Sequence, residues 1–224
     1  TNVIAFNESA PRPADITSVE SPFVHTAAGG QYSWSLSPVD QITVGGNADY
    51  VHYTNGEISG RETFDLGGFA TIKHAFFTEL VGTFSVSGRQ GAVGGDRALR
   101  SVTFRPSVLV QPFPWIAGEL YYSYTESDYP NPTQTPTALD RDARTRTVGV
   151  TAFMPIPTTP VRVEIGAAAI NTSADGTDYD SSAVQVSARL SSPLVFGIHG
   201  ELFISRTRTD YKNANSLAPN AALT

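Results

Sequence analysis

Residues 195–205 read VFGIHGELFIS, and their alternation decides the fold. Phe196, Ile198, Gly200, Leu202 and Ile204 fall on one side of an extended chain. Gly197, His199, Glu201 and Ser205 dominate the other. Strand side chains alternate between faces with a period of two, so this segment separates an apolar from a polar environment. Nine further stretches behave alike, near residues 23–36, 40–53, 62–73, 78–87, 98–110, 115–125, 145–154, 160–171 and 182–190. The expected fold is all-β: an antiparallel, up-and-down transmembrane β-barrel with ten clear strands in residues 23–205. Residues 1–22 read as an N-terminal segment with a short strand candidate at 3–6 and a Pro-rich loop. Residues 206–224 read as a polar outer loop or an incomplete C-terminal end.

The 224 residues suit one large β domain, and composition narrows its setting. Charged residues are only 16 % and hydrophobic ones 40 %, too apolar for a disordered chain. Cysteine is absent, which excludes disulfides and thiolate metal sites. A net charge of −6 without a basic cluster argues against a nucleic-acid partner. There is no run of 18 apolar residues, so no helix of the transmembrane kind is expected; barrel strands need none.

The connections alternate in length. Brief ones run over Ser37-Pro38-Val39, His74 to Phe77, Gln111 to Pro114, Pro155 to Thr159 and Ser191-Ser192-Pro193. Proline cannot donate to a ladder, so it marks these strand ends. Longer, more polar connections run over Thr54 to Arg61, Gly88 to Arg97, Glu126 to Arg144 and Thr172 to Ser181. Short turns on one rim and long loops on the other are the asymmetry of outer-membrane barrels.

Along one face of the predicted strands run uncharged series such as Ile42, Val44, Ala48, Tyr50 and Val161, Val163, Ile165, Ala167. The other face holds Asp49, Asp65, Lys73, Glu79, Arg105, Glu119, Arg162, Glu164, Arg189 and Glu201. An uncharged face meets either a protein core or lipid, and alternation alone does not separate a soluble barrel or sandwich from a membrane barrel. Three features favour lipid. The strands are about as long as the roughly 9–11 residues a tilted strand needs to cross a bilayer. Aromatic rings gather near strand ends: Trp34, Phe76, Phe77, Phe113 and Trp115 at the short-turn rim, Tyr50, Tyr53, Tyr122 and Tyr124 at the other. Gly30, Gly46, Gly68 and Gly82 on the apolar face would fill a dry core poorly.

In these respects the chain resembles bacterial outer-membrane β-barrel proteins as a broad class, over about residues 20–210 and by architecture alone. The resemblance implies a bacterial outer membrane, with its lipid bilayer as partner and assembly from the periplasm. It also implies an aromatic final residue, whereas this sequence ends Ala221-Ala222-Leu223-Thr224. Strand parity places both ends of the ten-strand set at the long-loop rim. The expectation is therefore a barrel of 12 or more strands, closed by further strands or by a protein partner. A closed ten-strand barrel is the runner-up.

Of the functional readings, a porin-like passive channel for ions or small hydrophilic solutes leads. Six acids against four basic residues on the polar face predict at most weak cation preference. Lys73 and Glu79 are expected to pair across the Ala75-Phe76 turn, and Arg162, Glu164, Arg189 and Glu201 to adjoin. The second reading is a structural or docking barrel of an envelope assembly, filled or closed by a partner. A minor one is an outer-membrane hydrolase using His25 and Asp49, which should be diagonal neighbours. No serine motif or second close acid supports catalysis, so the expectation is no enzyme and no catalytic residue. His52 falls on the apolar face, His74 in a turn and His199 alone on the polar face. Gly91 to Gly95 lacks the lysine of a phosphate cradle, and Asp175 to Asp180 lacks calcium-loop spacing. No cofactor and no metal are expected.

Overall fold

A computed structural model describes residues 23–53, 62–130, 140–156, 159–193 and 199–213. They form ten strands: β1 (Phe23–Ser35), β2 (Asp40–Tyr53), β3 (Thr63–Phe77), β4 (Leu80–Val93), β5 (Asp96–Phe113), β6 (Ile116–Asp128), β7 (Ala143–Pro155), β8 (Arg162–Ala174), β9 (Ser181–Pro193) and β10 (His199–Tyr211). Each pairs antiparallel with its sequence neighbours in one sheet, in the order β1 to β10. The ten-strand up-and-down arrangement is as expected. The sheet is not closed: β1 and β10 are its two edges among the described residues, so the closed ten-strand barrel is not formed.

Local chemistry explains the turns. Between β1 and β2 the Ser37 hydroxyl accepts from Val39 N (3.1 Å) and Asp40 N (3.0 Å) and donates to Asp40 Oδ2 (2.6 Å), closing the bend around Pro38. β4 and β5 meet at Gly94 (φ 61°) and Gly95 (φ 88°), the left-handed pair that a two-residue hairpin turn demands. This corrects the long loop expected over Gly88 to Arg97. Those glycines turn the chain within two residues, and pairing runs on to Val93↔Asp96. Strand β10 likewise extends to Tyr211, so 206–211 are strand and not loop. Val195, Phe196, Gly197 and Ile198 of the opening stretch lie outside the described residues, as do 1–22 and 214–224.

The register leans steadily. From Trp34 a row of partners runs through Ile42, Ile72 and Phe84 to Pro106, which by register faces Tyr122. It continues through Val148, Ala169 and Val184 to Arg208. Trp34 is one residue inside the short-turn end of β1, whereas Arg208 is nine inside that of β10. The row thus climbs about one residue per strand. At a rise of about 3.3 Å and a spacing of about 4.8 Å, that is a lean of roughly 30–35°, close to the about 35–45° of closed barrels.

The two faces of the sheet differ in exposure. On the apolar face Leu66, Ile72, Leu120 and Val150 are 50–60 % exposed. On the polar face the side chains of Asp65, Glu119 and Glu164 are only 17–23 % exposed. Along β3 the intermediate positions are Thr63, Asp65, Gly67, Phe69 and Thr71, and the exposed ones Phe64, Leu66, Gly68, Ala70 and Ile72. The most enclosed side chains, Ser107 and Ala168, also belong to the polar face, and no large side chain is fully buried among the described residues.

Candidate functional site

The polar face is lined mainly by hydroxyl groups. Ser33 and Thr43 (2.8 Å), Thr103 and Thr125 (2.9 Å), and Thr145 and Thr172 (3.2 Å) pair oxygen to oxygen across neighbouring strands. The period of two brings them to one side, and short β-branched or small side chains leave the backbone approachable by solute or water. Against this neutral lining the charges form discrete groups.

Near the long-loop rim, Asp49 and Asp65 lie directly opposite one another on β2 and β3. Facing carboxylates repel unless cations or donors hold them. Arg89 on β4 supplies one answer: its Nε donates to Asp65 Oδ1 (2.7 Å) and Oδ2 (2.8 Å), and its Nη2 also contacts Oδ2. Asp49 accepts from Asn47 Nδ2 (3.0 Å) and is 3.1 Å from His25 Nε2. The register places Ala27 opposite Asp49, which makes His25 its diagonal neighbour. No serine or threonine hydroxyl is hydrogen-bonded to His25 among the described residues.

A second group spans β5 and β6, where Arg105 Nη2 donates to Glu119 Oε2 (3.1 Å) while its guanidinium lies 4.3 Å over the Tyr121 ring. A third runs over β8, β9 and β10. Glu164 lies 3.4 Å from Arg162 and 3.9 Å from Arg189, and Arg189 lies 3.5 Å from Glu201. Arg162 and Arg189 rest on Phe153 (4.6 Å) and Phe203 (5.4 Å). These fixed pairs neutralise the wall locally and hold the arginine planes flat against it.

Two placements differ from expectation. Glu79 lies in the two-residue turn after β3, because that strand runs on to Phe77; Lys73 therefore faces Thr83, and no Lys73–Glu79 ion pair forms. His74 is a strand residue rather than a turn residue, 2.7 Å from Asp40 Oδ1 and edge-on to Phe76. His52 packs beside Tyr50 on the apolar face, 3.6 Å from Glu62 Oε1. The side chains of Tyr53 and His199 lie outside the described residues. Arg89 falls within the Gly88 to Arg97 stretch that the sequence predicts as a loop, and the tight Gly94-Gly95 turn makes it a strand residue instead. With Glu79 removed and Arg89 and the hairpin-tip Asp96 added, the polar face carries Asp49, Asp65, Asp96, Glu119, Glu164 and Glu201 against Lys73, Arg89, Arg105, Arg162 and Arg189. The imbalance behind the expected cation preference narrows to one charge.

The apolar face carries the aromatic rims. Trp34, Phe76, Phe77, Phe113 and Trp115 are 45–70 % exposed at the short-turn end, with Phe113 and Trp115 stacked at 5.5 Å. At the other end Tyr50 and Tyr122 are about 40 % exposed, and Tyr124 donates to Glu126 Oε1 (2.6 Å). Beyond the strands, Asp140, Asp142 and Asp175 bring carboxylate oxygens within 4.8 Å of one another. Asp142 accepts from Tyr129 N (2.6 Å) and Asp140 from Asp142 N (2.9 Å), so these two acids staple loop backbone.

No protein-family model matches the chain, and no curated protein is significantly similar to it.

Proposed function

We propose that the chain is the wall of a membrane-spanning β-barrel in a bacterial outer membrane, working as a passive, weakly selective conduit for ions and small hydrophilic solutes. The observation that carries this reading is the pattern of exposure: large apolar side chains stand uncovered on one face, while on the other Asp65, Glu119 and Glu164 are only 17–23 % exposed and Ser107 and Ala168 are buried. Water penalises such an arrangement and a lipid surround rewards it. The lean of the register and the aromatic rims support the same placement. In this reading β1 and β10 are joined by strands outside the described ten, giving a barrel of 12 or more.

Reconstituted in planar bilayers, the protein is expected to show discrete conductance steps with a cation-to-anion permeability ratio near one. Insertion without conductance would overturn the channel. The balance near the long-loop rim rests on Arg89, which offsets the facing Asp49 and Asp65. Unit charges about 5 Å apart in water interact by about 0.8 kcal/mol, or roughly fourfold in an equilibrium. Arg89→Gln is therefore expected to make the pore cation-selective by about two- to fourfold at low salt and less at high salt. An unchanged reversal potential would place that cluster outside the conduction path.

The edges that β1 and β10 present among the described residues favour a second reading, a docking barrel completed by a strand from another protein, because an open edge is a template for pairing. A stoichiometric partner in the purified complex, without conductance, would favour it.

A further inference from the structure

The apolar face is not uniformly uncharged. Extension of β10 to Tyr211 puts Arg206 and Arg208 on it, opposite Val186 and Val184. Arg146 joins them on β7, opposite Tyr124 and Asn171. A shallow groove runs beneath these side chains across β7 to β10. Its lower part is floored by Ala152, Ala167 and Ala188 between Val150, Ile165, Val186 and Ile204, with Arg206 at its margin. Its upper part passes over Val148, Ala169 and Val184, with Arg146 on one wall and Arg208 on the other.

We propose that this groove binds a phosphate-bearing anionic lipid. Its acyl chains lie on the alanine floor, and Arg146, Arg206 and Arg208 hold its headgroup phosphate. The inference rests on the membrane reading above and adds a ligand to it. Three observations carry it. Alanines flanked by branched side chains leave a trough that an alkyl chain fills. Arg146 and Arg208 stand nine residues from the short-turn ends of β7 and β10, toward the rim where headgroups meet an apolar band, and Arg206 lies two residues below Arg208 at the margin of the alanine floor, within reach of that rim by its long stem. Acids offset this charge only in part: Asp210, which shares the upper part of the groove, pairs with Arg208 at 3.5 Å, but neither Arg146 nor Arg206 forms an ion pair among the described residues. An arginine on a lipid-facing surface is costly unless an anion meets it, and a guanidinium fork matches a phosphate in two-point geometry. β7 and β10 are three strands apart, about 14 Å, a span that long arginine stems narrow from both sides.

The test uses the absence of native cysteine. A fluorophore on Val163→Cys, at the foot of the groove, reports lipids with brominated acyl chains in phosphatidylcholine vesicles. Brominated phosphatidic acid is expected to quench it with an apparent affinity at least about fivefold above that of brominated phosphatidylcholine, at about one kilocalorie-scale contact per arginine. Changing Arg146, Arg206 and Arg208 together to Gln should remove that preference while quenching by brominated phosphatidylcholine persists. Equal quenching by both lipids in the unsubstituted protein overturns the lipid site and leaves the membrane reading standing. Quenching by neither overturns both. Loss of the preference on adding millimolar inorganic phosphate would show that free phosphate occupies the arginines and would overturn the acyl half of the proposal.

Discussion

Replacing Val150 by arginine is expected to destabilise the membrane-inserted protein by about 2–4 kcal/mol, whereas arginine at Thr147, on the same strand and the other face, should cost well under half of that. Val150 lies near the middle of β7, half exposed on the apolar face between Leu120 and Ala167. In lipid it has no water to solvate a cation and no acid within its row, so a charge there must snorkel or draw water inward. Thr147 stands among hydroxyls between Ser123 and Ile170, where an arginine stays wet. Guanidinium unfolding from phospholipid vesicles measures both. A soluble barrel packed by its apolar face would also reject arginine at 150, but its stability would not depend on lipid. Restoration of Val150→Arg stability in thinner bilayers is the signature that separates the two, because the bilayer midplane then lies closer to headgroups.

The second large effect concerns packing on the polar face. Gly149 lies opposite Tyr121, and a Cβ added there would fall within its ring, 2.6 Å from Cε1. Rings seldom have room to yield when both sides are occupied, and Arg105 lies over this one at 4.3 Å while also binding Glu119. Gly149→Ala is expected to cost about 1–3 kcal/mol as the ring is displaced. Adding Tyr121→Ser should recover most of it, a coupling that a double-mutant cycle reads directly. The same device recurs where Phe69 covers Gly45, at 2.6 Å from the built Cβ. A neutral Gly149→Ala would show that the ring is free to move and that the Arg105–Tyr121 stack holds little.

What could be read in the sequence, and what could not, follows from where periodicity carries information. Strand β2 ends where its alternation ends, because Pro38 and Asn55-Gly56 punctuate both sides. The β4–β5 hairpin is not legible in the sequence because glycine signals either a loose loop or a tight left-handed turn, and only the backbone angles of Gly94 and Gly95 distinguish them. The place of Arg89 on the polar face depends on that distinction. Residues 206–211 are polar on both faces, so a two-residue period leaves no contrast to read, and Arg206 and Arg208 passed for loop. The grouping of Arg162, Glu164, Arg189 and Glu201 is legible because those residues sit on three consecutive strands whose clear alternation fixes their shared face. The Lys73–Glu79 pairing failed by contrast, since displacing the β3 turn by two residues reassigns every partner across it.

The most direct test asks which face of β7 meets lipid. Single cysteines at Thr145, Thr147, Thr151, Val148, Val150 and Ala152, in a chain with no native cysteine, carry a fluorophore in turn. Lipid-borne quenchers should reach the labels at 148, 150 and 152, and water-soluble quenchers those at 145, 147 and 151, alternating residue by residue. Lipid quenching that is absent throughout, or that falls on the threonine positions, would contradict a barrel with its apolar face in the bilayer.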